Sequence, residues 1–146
     1  MAKRGFTIME LLIVISVLVI LIAMAIPRIR GVRDEGNVAK AKGELRSLQI
    51  AVEGYFMHAK SLPESLGVLI DAATKPNLVG SSLPKDPFMN PPGDYGYKKS
   101  GEYYCIWSVG PAGGGACNVT ETGEVSESNG DSCIYATNGK PLDGRP

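Results

Sequence analysis

The feature that most constrains this chain is FTIMELLIVISVLVILIAMAI, residues 6 to 26, a run that is apolar almost throughout yet carries one carboxylate, Glu10. As a helix it would rise about 32 Å, close to the roughly 30 Å hydrocarbon thickness of a bilayer. A small soluble core has no room for such a segment, so the chain must divide into an apolar stem and a separate head. The total of 146 residues leaves about 115 for the remainder, enough for one domain with a modest core.

Glu10 decides between three uses of the run, because an unpaired carboxylate at membrane depth is costly. A removed secretory signal would suit the charged start at Lys3 and Arg4 and the small-x-small AMA at 23 to 25. The run exceeds the roughly 7 to 15 apolar residues of such signals, and an acid inside a discarded segment serves nothing. A plain membrane anchor suits the length but leaves Glu10 without a role. The third use takes MAKRG as the leader, cut between Gly5 and Phe6, so that the apolar run is kept. The cut creates an α-amino group on Phe6 with an unperturbed pKa near about 8, one helical turn from Glu10. At an effective dielectric near 20, opposite charges about 4 Å apart attract by roughly 4 kcal/mol. The pair can close within one helix or between two staggered helices, where it would also fix their register.

The residues KRGFTIMELLIVISVLVILIAMAIP closely resemble the amino-terminal signature of the type IV pilin superfamily. Gly5, Phe6, Glu10 and Pro27 fall on its leader glycine, cut-site phenylalanine, glutamate and helix proline. The resemblance implies cleavage after Gly5 and N-methylation of Phe6 by a prepilin peptidase. It also implies that Glu10 helps dock each subunit into a helical filament. Two basic residues, Lys3 and Arg4, face Arg28, Arg30 and Arg33 across the run, so the positive-inside rule gives no orientation. The resemblance implies a cytoplasmic amino terminus and a periplasmic head.

Beyond the run, residues 28 to 60 hold seven Lys/Arg against four Asp/Glu, and residues 61 to 146 hold six against ten. The acidic head and the lack of a basic patch interleaved with aromatics set nucleic-acid binding aside. Val38, Ala41, Leu45, Leu48, Val52, Tyr55 and Ala59 are spaced alternately by three and four, which predicts an amphipathic helix to residue 60 packed on the head's own sheet. Pro27 lacks an amide hydrogen and crowds the preceding turn, so a kink or local break is expected near residues 23 to 27. His58, near the helix end, has no partner motif and no catalytic role.

Ser61 and Pro63 end the long helix, and SLPESLGVLID predicts a short helical run with Leu66, Leu69 and Ile70 on one side. SSLPKDPFMNPPGDYGY is turn chemistry. EYYCIWSV is the clearest strand, with Tyr103, Cys105, Trp107 and Val109 on one face and Tyr104, Ile106 and Ser108 on the other. GPAGGG breaks it, and the last segment is expected to be looped and acidic, with CIYAT as a further strand. The domain plan is a leader at 1–5, a transmembrane and assembly helix at 6–26, an amphipathic helix at 27–60 and a globular head at 61–146. The fold class is α+β, a long amino-terminal helix on a small antiparallel sheet.

LPKDPFMNPPGDYGYKKSGEYYCIWSVGPAGG resembles, more weakly, the loop and strands of the major pseudopilins of type II secretion. That resemblance implies a filament of copies of this chain, joined by minor pseudopilins or pilins, built at an inner-membrane assembly platform from a lipid-embedded pool. The alternative is a type IV pilin proper, the subunit of a surface filament for adhesion, motility or DNA uptake. The pseudopilins bind calcium in the glycine-rich turn through an aspartate that would fall at Ala112 here. Calcium takes six to eight oxygens; Glu121, Glu124, Glu127 and Asp131 are the candidates left to supply them, and no metal site is assigned. Cys105, Cys117 and Cys133, with no CxxC, fit one disulfide in an oxidising compartment. Cys117 and Cys133 flank the acidic loop and are the preferred pair, with Cys105 able to replace either. No clustered histidine, nucleophile or phosphate loop supports an enzyme.

Overall fold

A computed structural model of the chain describes residues 6–71, 79–128 and 133–141; for residues 25–31, 128 and 141 it describes the backbone alone. The chain divides into two compact units, Met1–Gly36 and Asn37–Pro146.

The first unit is the amino-terminal part of helix α1, which runs over Ile8–Ala59. Its described side chains are all exposed, from Phe6 at 70% and Ile8 at 86% to Met24 at 70%. Apolar residues encircle this part of the helix, so no single stripe can face a core. Ser16, the one hydroxyl within the run after the first turn, donates to the Leu12 carbonyl at 2.7 Å and so needs no partner outside its own helix. The backbone stays helical through Pro27, so the expected local break does not occur. The helix carries on one amide short there, and the side chains around it lie outside the described residues. Among the described residues no helix is long and apolar enough to cross a membrane; the apolar helical run with described side chains, Ile8 to Met24, falls short of a full span.

In the second unit, α1 becomes amphipathic. Ala41, Leu45, Leu48 and Val52 of the predicted stripe are 0–2% exposed, and Ala51 joins them. Val38 and Tyr55 sit at the edge of this face, while Ala59 is exposed. The helix ends where Lys60 takes a left-handed backbone, φ 56°, its amide donating to the Phe56 carbonyl at 2.9 Å. A 3-10 turn follows at Leu66–Ile70, burying Leu66 and Leu69.

Among the described residues, two three-stranded sheets complete the head. The first has the order β1-β2-β5, with β1 at Gly96–Ser100, β2 at Tyr103–Ser108 and β5 at Ile134–Thr137. All its pairs are antiparallel. The second has the order β3-β4-β6, with β3 at Ala116–Val119, β4 at Glu124–Ser128 and β6 at Lys140–Pro141. Here β4 and β6 run parallel, so the head is not wholly antiparallel. The β3–β4 hairpin also corrects the expectation of a looped, acidic tail. Cys117, Val119 and Val125 turn inward while Asn118, Glu124 and Ser126 face solvent, an alternation too short to stand out from the glycines and acids around it.

Strand β2 is buried on both faces. Tyr104 and Ile106 enter the core formed with Leu45, Leu48 and Val52, and Cys105, flanked by Tyr103 and Trp107, enters a second core with Cys117, Val119, Val125 and Cys133. Burying side chains of the size of Leu and Ile contributes about 1.5–3 kcal/mol each. Tyrosine hydroxyls then fasten the first sheet to its surroundings. Tyr95 donates to Glu44 at 2.6 Å and Tyr104 to Glu53 at 3.2 Å, both on α1, and Tyr97 donates to the Pro63 carbonyl at 2.9 Å. Gly96 lies directly opposite Trp107 in the β1–β2 register, and a Cβ at residue 96 would enter the indole ring.

Candidate assembly site

The amino-terminal end of α1 is built by Thr7. Its hydroxyl accepts the Glu10 amide hydrogen at 3.2 Å, and its carbonyl accepts from Glu10 at 3.1 Å and from Leu11 at 3.2 Å. Thr7 is therefore the N-cap and Glu10 the third helical residue, the Thr-x-x-Glu spacing of a capping box. The charge argument for Glu10 does not point to this cap, although TIME carries the capping-box spacing in the sequence. A carboxylate in the first turn also complements the partial positive charge of the helix start.

Phe6 precedes the cap, outside the helix, and both Phe6 and Glu10 are exposed. In the uncut chain the Phe6 nitrogen is a peptide amide without charge, so the proposed ion pair can exist only after cleavage. Gly5 lies outside the described residues. The local chemistry is nonetheless constrained. An ammonium group created at Phe6 would stand at the positive end of the helix dipole, where a cation is disfavoured by roughly 0.3–1 kcal/mol. Glu10 is the only acid in the stretch 6 to 26, and the cap holds it in the same turn.

In the head, Asp86, from LPKDP, is buried at 1% exposure. One carboxylate oxygen accepts from the Phe88 amide at 3.0 Å and the Ser108 hydroxyl at 2.8 Å, and the other accepts from the Val109 amide at 2.9 Å. The Ser108 hydroxyl in turn accepts from the Gly110 amide at 3.2 Å. Asp86 thus ties the proline-rich loop to the end of β2, a role that the sequence reading, which saw turn chemistry there, did not assign.

The cysteines pair differently from the expected Cys117–Cys133. The disulfide joins Cys105 to Cys117, with their Cα atoms 6.5 Å apart, and Cys133 is a buried free thiol. The reason is the unforeseen hairpin. Strands β3 and β4 already hold the acidic loop closed by backbone pairing, and the inward pleat of β3 sets Cys117 against the inward face of β2. Burial and the nearby Glu127 carboxylate push the Cys133 thiol up to about 11.

Calcium does not fit the residues that would hold it. The turn reads Gly110, Pro111, Ala112, Gly113, Gly114, Gly115 and offers no side-chain oxygen. Its Gly110 carbonyl accepts from Gly113 and the Val109 carbonyl from Gly115, each at 3.0 Å. Asp86, whose carboxylate accepts the Val109 amide beside the turn, has both oxygens committed. Glu124 and Glu127 are three residues apart on β4 and point to opposite faces; Asp131 lies outside the described residues. Among the described residues no cluster of metal-ligating side chains occurs. A groove of about 770 Å³ runs beside β5, lined in part by Lys42, Arg46, Gln49 and Glu127.

Comparison with known proteins follows the same division. Residues 1–26 match the model of the prokaryotic N-terminal methylation motif, and residues 28–125 match that of the type II secretion system protein G family. The chain is 29% identical over 124 residues to the type II secretion system core protein G of Escherichia coli K12, covering 76% of this chain and 83% of that protein. It is 29% identical over 136 residues to the protein of the same name from Pseudomonas aeruginosa, covering 83% and 94%. A fimbrial protein of Pseudomonas aeruginosa is 34% identical, but over 64 residues only, 44% of this chain and 42% of that one. No solved structure matches. With a capped apolar helix, an α+β head and a family match over about two-thirds of its length, the chain belongs to the type II secretion system protein G family.

Proposed function

We propose that this chain is the filament-forming subunit of a type II secretion pseudopilus, a structural part that performs no chemistry of its own. Prepilin peptidase cuts between Gly5 and Phe6 and methylates the new amino terminus. Residues 6–26 hold the cut subunit in the inner membrane, residues 27–60 continue into the head, and the head of residues 61–146 lies in the periplasm. The assembly platform extracts subunits from lipid into a short periplasmic filament, capped or initiated by minor pseudopilins, which works as a piston or screw during secretion. In the filament, apolar stems exchange lipid contact for contact with one another, and a bend at Pro27 adjusts the stem to its neighbours.

The observation that carries this reading is the exposure of every side chain from Phe6 to Met24 around a helix that is capped by Thr7 and carries Glu10 in its first turn. Such a surface has no core of its own to face within its unit among the described residues, and an uncharged 20-residue helix would be the simpler anchor. Glu10 accepts the charge of the Phe6 amine, which relieves the helix dipole within one subunit or fixes the stagger between two. The fimbrial relative favours a surface pilus as the second reading, but its likeness covers less than half of the chain, whereas the protein G family matches residues 28–125.

The mass and amino-terminal sequence of the mature protein test the processing step. An N-methyl-Phe6 terminus is expected, and a chain starting at Ile26 would overturn the reading in favour of a removed signal. Glu10→Ala tests the joint. The variant should be cut and inserted normally but enter filaments poorly beside wild-type subunits, as counted by cross-linking between neighbours; incorporation equal to wild type would refute register-setting by Glu10.

A further inference from the structure

The glycine-rich turn between β2 and β3 presents a physical problem. Gly110, Gly113 and Gly114 all take positive φ, at 73°, 74° and 86°, so the segment is intrinsically loose and gains little from side-chain packing. It nevertheless joins two strands of different sheets that share one buried core. Something must hold its ends, and a turn that brings no carboxylate offers a hard cation only neutral backbone carbonyls.

We propose that the Cys105–Cys117 disulfide is the clamp of this turn, taking the place of the calcium that the resembling pseudopilins bind there, so that the head folds by oxidation and independently of calcium. The bond starts inside β2 and ends inside β3, enclosing the whole of the turn. Its sulfurs lie in the second core, with Cys105 at 0% and Cys117 at 3% exposure, so the clamp is shielded from reductants while the head is folded. Asp86 completes it from outside by holding the Val109 amide, the last position before the turn. No cation is needed to balance that carboxylate, since three donors already face it.

The third cysteine does not compete. Cys133 packs in the same core, close enough that a Cβ on Gly115 would meet its Cβ at 2.8 Å. Burial and Glu127 keep its thiol protonated at neutral pH, and a protonated thiol does not attack a disulfide. Closing the clamp removes two electrons and two protons from the Cys105 and Cys117 thiols. A disulfide-bearing oxidant of the exported compartment accepts them by exchange and leaves as two thiols.

Thermal unfolding of the full-length chain in detergent, followed by circular dichroism and Trp107 fluorescence, tests the proposal without reference to filament assembly. The oxidised wild type is measured in millimolar calcium and in chelator, and so is the double variant Cys105→Ala/Cys117→Ala. The expected result is one midpoint for the wild type in both buffers. The double variant should melt on the order of 10 °C lower, or be unfolded, in both. A wild-type midpoint that climbs with calcium concentration would overturn the proposal. So would rescue of the double variant by calcium, or a double variant that melts with the wild type. Cys133→Ala serves as the third arm: it should keep the disulfide and its insensitivity to calcium, and a lost Cys105–Cys117 bond in peptide mapping of that variant would also overturn the assignment.

Discussion

Replacing Asp86 by alanine removes the acceptor of three hydrogen bonds at once. The Phe88 amide, Ser108 hydroxyl and Val109 amide, at 3.0, 2.8 and 2.9 Å, lose their partner together. Hydrogen bonds to a charged group contribute about 1.5–3 kcal/mol each, so their simple sum would reach roughly 5–9 kcal/mol. Two effects reduce it. The variant no longer carries the cost of desolvating a carboxylate, and the cavity left by the side chain sits near the loop, where water can enter. Removing one side of a buried charged network typically costs about 3–5 kcal/mol, which is the loss expected here. Set against the roughly 5–15 kcal/mol of an average domain, that is a large share. Urea unfolding of the full chain in detergent, read by Trp107 fluorescence, should show a lower midpoint with an unchanged slope. Asp86→Asn sharpens the test, because the amide nitrogen would meet the Val109 amide donor to donor; about 2–3 kcal/mol should be lost although size and shape are kept. Ser108→Ala should lose about 1–2 kcal/mol and couple to Asp86→Ala in a double-mutant cycle. A loss below about 1 kcal/mol for Asp86→Ala would refute the reasoning, since it would mean that the three donors find water as readily as they find the carboxylate.

Two further outcomes follow from other sites. Thr7→Val removes the hydroxyl cap but keeps the shape, so the first turn should weaken by about 1 kcal/mol; hydrogen exchange of the Glu10 and Leu11 amides should quicken several-fold, and unchanged exchange would show that the cap is not formed in the protein. Alkaline pH should destabilise the head, because the Cys133 thiol is raised by burial and Glu127 from 9.0 to about 11. The native state holds a proton that the unfolded state releases, so this stability is complete below pH 9.0 and is lost as pH rises to about 11. Burial likewise raises Tyr95, Tyr97 and Tyr104, with Glu44, Glu64 and Glu53 respectively adding to the effect, which extends the decline above pH 10. Cys133→Ala should remove the part of the decline between pH 9 and 11, measured by urea midpoints; an identical decline in that variant would refute the assignment.

The parts of the molecule that were legible in the sequence are those governed by one periodicity. The three-four spacing of Ala41, Leu45, Leu48 and Val52 gave the buried face of α1, and the two-residue alternation of Tyr103 to Ser108 gave both faces of β2. The hairpin of β3 and β4 was not legible, because its strands are four and five residues long and each contributes no more than two inward side chains. Missing it also misplaced the disulfide: without the hairpin, Cys117 and Cys133 look like the two ends of an open loop. Asp86 was read as a turn residue because its partners Ser108 and Val109 are 22 and 23 positions away, a distance that no local pattern reports. For the proposed assembly joint, Phe6 and Glu10 come from the charge argument together with the resemblance, whereas Thr7 needed only the capping rule.

Thr7 has a consequence that reaches upstream of the helix it starts. A peptide bond wound into a helix cannot be laid out in a protease cleft, because cleavage needs chain that can be drawn straight. If the greasy rod propagated toward the leader, the bond between Gly5 and Phe6 would be caught in its first turn. The threonine acts as a firebreak: winding starts only at Ile8, and Phe6 and Thr7 stay outside the helix. For the proposed cut between Gly5 and Phe6, one hydroxyl would thereby both seat the acid of the proposed joint and keep the residue that follows the cut out of the helix.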